Sequence, residues 1–92
     1  MTSDNERITQ LLATTRDTLT TELASISDPI AREAAARQIL AALPDLSQDV
    51  TAIRSDAVTT LKEGRTLAQV GQLLGGLSTA RVDQIIRAGK KK

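Results

Sequence analysis

Two adjacent glycines, Gly75 and Gly76, fall between two short apolar repeats of helical spacing and demand a corner rather than one continuous helix. Before them, Leu67, Val70, Gly71 and Leu74 share one helical stripe. Thr66 precedes that stripe and Gln69 follows three residues later, a capping-box signature for a helix start. After the glycines, Leu77 can plug the corner and Ser78 is a good N-cap. At about 100° per residue, Val82, Ile85 and Ile86 then gather on one side of the next helix. Two short helices joined by a tight turn, the second with a basic, polar outer face, have the layout of a helix-turn-helix that reads DNA.

Composition narrows the alternatives. Phe, Tyr, Trp, Cys and His are all absent from the 92 residues, so burial falls to Leu, Ile, Val and Ala. Disulfides and thiolate or imidazole metal sites are excluded, and neither a metal nor a cofactor is expected. No aromatic ring is available to stack on single-stranded bases. The chain has no apolar run long enough for a membrane span, and its start, M-T-S-D-N-E-R, is polar rather than a basic segment leading into an apolar one. The expected location is the cytoplasm, at the nucleoid. The net charge of +1 hides an asymmetry: residues 1–47 hold four basic and seven acidic side chains, and residues 48–92 hold eight basic and four acidic. The positive half contains the glycine corner, and a basic face is what contact with phosphates requires.

The remaining periodicity predicts an all-α chain of about five helices. A first helix runs from near Asp4 to near Ile26, with Ile8, Leu12, Thr15, Leu19, Leu23 and Ile26 spaced by four and three. Its many threonines have mediocre helix propensity, so packing must hold it helical. Asp28 as N-cap and Pro29 at the first helical position start a second helix carrying Ile30, Ala34, Ala35, Ile39, Leu40 and Leu43, and Pro44 is expected to stop it. A third helix starts around Ser47 and places Val50, Ile53, Ala57 and Leu61 on one face before Gly64 ends it. The expected division is an N-terminal helical arm over residues 1–46 and a DNA-binding domain with a three-helix core and basic tail over residues 47–92. The apolar stripe of the first helix either packs within the chain or supplies a homodimer interface.

The outer face of the last helix offers the reading chemistry. Gln84 can pair with adenine N6 and N7, and Arg81 or Arg87 can fork onto guanine O6 and N7. Asp83 either accepts from a cytosine amine or pairs with Arg87 one turn on. Ser78 and Thr79 stand at the N-terminal tip, where backbone N–H groups can also meet a phosphate. Arg54, Lys62, Arg65 and Thr66, together with the terminal Lys90, Lys91 and Lys92, are candidates for phosphate contact or for plain solvation. Ser55 and Thr59 receive no functional role.

An enzyme is not expected. Gly71 through Gly76 fits G-x-x-x-x-G, but Leu77 stands where a phosphate-binding lysine is needed. Asp45 and Asp49 lack a catalytic partner and read as helix N-terminal charges.

The stretch I-R-S-D-A-V-T-T-L-K-E-G-R-T-L-A-Q-V-G-Q-L-L-G-G-L-S-T-A-R-V-D-Q-I-I, residues 53–86, resembles small actinobacterial helix-turn-helix proteins with a sigma-factor region-4-like reading unit. Residues 28–46 resemble the upstream helix of that group. The resemblance implies duplex DNA binding through Ser78, Thr79, Arg81, Asp83 and Gln84. A small transcriptional regulator, a nucleoid-associated protein reading a short frequent motif, and a protein-interaction adaptor with a purely structural helix pair all stay open. Two positions depart from the group: Gly71 stands where alanine is usual, at a site that needs a small residue, and Gly75 is an extra residue in the turn.

Overall fold

Helix starts in this chain are written in its capping residues. The computed structural model describes residues 3–89, and every regular element among them is a helix: α1 (Asp4–Ala24), α2 (Pro29–Lys62), α3 (Leu67–Leu73) and α4 (Thr79–Ala88). Ser3 opens α1 by accepting the Glu6 N–H at 3.1 Å, and Asp4 and Glu6 place negative charge on the positive end of the helix dipole. Asp28 opens α2, its carboxylate receiving the Ile30 and Ala31 N–H groups at 3.4 and 3.3 Å, with Pro29 needing no partner at the first helical position. Thr66 and Gln69 form the reciprocal capping box of α3, at 3.1 Å and 2.9 Å. Ser78 caps α4 by accepting the Arg81 N–H at 3.1 Å. No helix among the described residues is long and apolar enough to cross a membrane.

The expected count of five helices is corrected to four, because α2 runs through Pro44. Proline there removes the N–H that would reach the Leu40 carbonyl and crowds the preceding turn, a cost of about 3 kcal/mol. The helix tolerates it because its surroundings are open: Leu40 is 65% exposed, and every residue from 40 to 50 faces solvent, so water can satisfy the freed carbonyl. The chain divides into two units, Met1–Ala41 and Ala42–Lys92, and the division falls just before this proline.

In the first unit no described side chain is buried. Leu23, Ile26, Ala34, Ala35, Ala36 and Ile39, on either side of the connection into α2, are partly covered. The earlier part of the α1 stripe stays in water, with Ile8 at 65%, Leu12 at 66% and Leu19 at 44% exposure. Thr20 turns its hydroxyl back onto the Arg16 carbonyl at 2.9 Å, one way this Thr-rich helix satisfies its polar groups.

The second unit has a true core. Val58 of α2, Val70 of α3 and Val82, Ile85 and Ile86 of α4 are buried together, with Leu61, Leu67, Leu74 and Leu77 packed around them. The face of α2 that meets this core is only in part the one the spacing suggests: Leu61 packs against it as expected, but the earlier positions do not. Val50 and Ile53 are 55% and 70% exposed, whereas Ser55 and Val58 are 4% and 3%. The Ser55 hydroxyl donates to the Ile86 carbonyl at 2.7 Å, supplying a partner for one of the last carbonyls of α4. Gly89 lies against Ser55 so closely that any side chain at 89 would collide with it.

The corner between α3 and α4 depends on Gly71. Its carbonyl accepts the Gly76 and Leu77 N–H groups at 2.9 and 3.0 Å, and its bare α-carbon admits the Leu77 carbonyl into space a Cβ would occupy. The site therefore requires glycine, a stricter demand than the small residue expected from sequence. Gly75 and Gly76 both take positive φ, +93° and +95°, and so absorb the extra residue of the turn in a backbone region that disfavours other side chains.

Two outcomes follow for stability. Gly71→Ala should lower the unfolding free energy by about 1–3 kcal/mol, because the clash is with backbone and must be relieved by shifting the turn; urea unfolding measures it, and an unchanged midpoint would contradict the close approach. Pro44→Ala should raise helicity and stabilise α2 by up to about 3 kcal/mol, read by far-ultraviolet circular dichroism and the denaturation midpoint.

Candidate nucleic-acid interface

Burial of Val82, Ile85 and Ile86 fixes the rotation of α4 and thereby decides which residues it shows to solvent. Thr79, Ala80, Arg81, Gln84, Arg87 and Ala88 are exposed, and Asp83 is partly covered. The Arg81 guanidinium lies 3.5 Å from Gln84 Oε1, so the two side chains stand side by side on one helix face. Alongside them runs α2: Thr51, Arg54, Arg81, Gln84, Ile85 and Ala88 line one shallow concavity of about 190 Å³. Arg54, named from sequence as a candidate for phosphate contact, is thus brought beside Arg81 and Gln84, the candidates for base reading. Its spacing in the chain carried no sign of that neighbourhood, which arises from the rotation of α2 that buries Ser55.

Asp83 had two candidate partners. The structure brings it to Arg87, with Nε and Oδ2 2.9 Å apart. Exposed as it is, such a pair contributes between nothing and about 1 kcal/mol to stability. Its electrostatic consequence is larger than its energy, since it cancels the one carboxylate on this helix that would repel a phosphate. It also occupies Arg87.

At the N-terminal tip of α4, the Ser78 hydroxyl serves as the cap acceptor and keeps its own hydrogen to donate. Thr79 is exposed beside it, and the Thr79 and Ala80 N–H groups precede the first intrahelical bond, from Val82 to Ser78 at 3.1 Å. Thr66 plays the same double part at the start of α3. Arg65 folds back, donating to the Leu61 carbonyl at 3.0 Å at the end of α2, and lines a more open hollow with Gly64, Gln69, Gln72 and Leu73. Lys62 is exposed in the last turn of α2. Lys90, Lys91 and Lys92 lie outside the described residues.

Two residues without an assigned role in the sequence reading matter to this surface. Ser55 and Gly89 hold the C-terminal end of α4 against α2, and that seating sets where Arg81 and Gln84 stand relative to Arg54. A serine within an apolar helical run, and a glycine after the last apolar position, were the signals available. No protein-family model matches the chain, and no curated protein or solved structure shows significant similarity to it.

Proposed function

We propose that the unit spanning residues 42–92 binds duplex DNA, with α3 and α4 acting as a helix-turn-helix and α4 entering the major groove, in the manner of a small transcriptional regulator. The observation that carries this reading is the grouping of Arg54, Arg81 and Gln84 around one exposed concavity on the outer side of α4. Gln84 and Arg81 supply the two side-chain chemistries that read adenine and guanine edges in the major groove. Arg54, on the neighbouring helix, supplies a cation for the phosphate backbone, and the Ser78–Thr79 tip offers hydroxyl and backbone donors to a second phosphate. Asp83 takes no part in base reading on this view, because Arg87 already neutralises it.

A nucleoid-associated role is the second reading. The three lysines that end the sequence favour it, since they supply affinity without reading bases.

Selection of bound duplexes from random DNA, followed by anisotropy titrations of the winning site and a scrambled control, tests both. Gln84→Ala should weaken binding to the best site by about 1–3 kcal/mol and relax preference at one base pair; unchanged specificity removes Gln84 from the reading set. Removing Lys90 to Lys92 should weaken all sequences alike and lower the slope of log K against log salt by about two to three. Absence of binding even at low salt would overturn the proposal.

A further inference from the structure

The second half of α2 carries two apolar stripes, and the core covers one of them. Thr51, Ser55 and Val58 turn toward α3 and α4. Along the other stripe Leu43, Leu46, Val50 and Ile53 follow one another at spacings of three, four and three, with Ala57 four further on. All four large side chains are in water, at 48%, 56%, 55% and 70% exposure. In heptad terms Leu43, Val50 and Ala57 are a positions, Leu46 and Ile53 are d positions, and the core-facing Thr51, Ser55 and Val58 are b and f positions. From Leu43 to Ala57 the seam is clear of the core and no polar residue interrupts it; Thr60 takes the next d position, and Leu61, an e position, packs against the core. The α1 seam is interrupted sooner, with Thr15 between Leu12 and Leu19 and a charged Glu22 after them.

We infer that, in the absence of DNA, a second copy of this chain packs along α2 in parallel, through Leu43, Leu46, Val50 and Ile53, with Asp49 of each copy paired to Arg54 of the other. The flanking charges point to this occupant. Asp49 is a g position and Arg54 is the e position of the next heptad, the two places that face each other across a parallel pair. They carry opposite signs, both are exposed, and neither has an ion-pair partner among the described residues. One helix thus carries both halves of the interaction, which two-fold symmetry requires of a self-complementary surface. The four apolar side chains offer about 400 Å² per copy, roughly half of what one partner gives to a standard interface. An area of this size places the dimer in the weak, concentration-dependent class.

Sedimentation of the full chain without DNA, from low to high micromolar concentration, reads this directly and independently of the DNA-binding proposal. The wild-type chain should pass from monomer to dimer. Ile53→Glu should hold it monomeric with its circular dichroism unchanged, since Ile53 touches no core residue, while Leu12→Glu on α1 should leave the dimer intact. Asp49→Arg alone and Arg54→Asp alone should each weaken the dimer about tenfold or more, and the double exchange should return it to within about threefold of wild type. A wild-type monomer throughout, a dimer lost with Leu12→Glu but kept with Ile53→Glu, or a double exchange no better than the singles would each overturn the inference.

Discussion

The Leu77 carbonyl sits where a side chain at 71 would have to be, and the backbone N–H groups of Gly76 and Leu77 both reach the Gly71 carbonyl. That close crossing fixes how the chain leaves α3, and with it the direction in which α4 starts. The other end of α4 is fixed by Ser55, whose hydroxyl holds the Ile86 carbonyl, and by Gly89, which lets α2 approach. Between the two anchors Val82, Ile85 and Ile86 set the rotation. A helix of ten residues is too short to be stable in water by itself, so its order is borrowed from these three restraints. The exposed surface of α4 is as definite as they are.

Local chemistry was legible in the sequence, because it is decided within a few residues. The Thr66 and Gln69 capping box, the Ser78 cap, the Asp28 and Pro29 start and the stripe through Val70 and Gly71 all depend on neighbours three or four positions away. The choice of partner for Asp83 lay in the same range, since Arg87 is one turn on. The break expected at Pro44 failed for a different reason. Proline reports a local penalty, and the sequence does not say whether the helix around it, and water at the freed carbonyl, will bear that penalty.

The face of α2 was illegible because the decision is not local at all. Of the stripe Val50, Ile53, Ala57 and Leu61, only Leu61 packs against the core, beside Val58, and the selection depends on residues of α3 and α4 far away in the chain. Ser55 looked like a solvated hydroxyl and is instead the polar contact that ends α4. The same rotation moved Arg54 beside Arg81 and Gln84, so one misread face hid both a core residue and a member of the candidate site.

Pro44 has a consequence for how cooperatively the molecule holds together. Helix growth proceeds by adding one hydrogen bond for each residue fixed, and at Pro44 the chain must extend the helix with no bond gained. The 34 residues of α2 are one element by geometry but two by statistical weight, since order on one side confers little on the other. On the first side no described side chain is buried, and on the second a small aliphatic core closes. Unravelling of the α1 side should therefore stop at the proline and leave the packing around Val58, Val70 and Val82 in place.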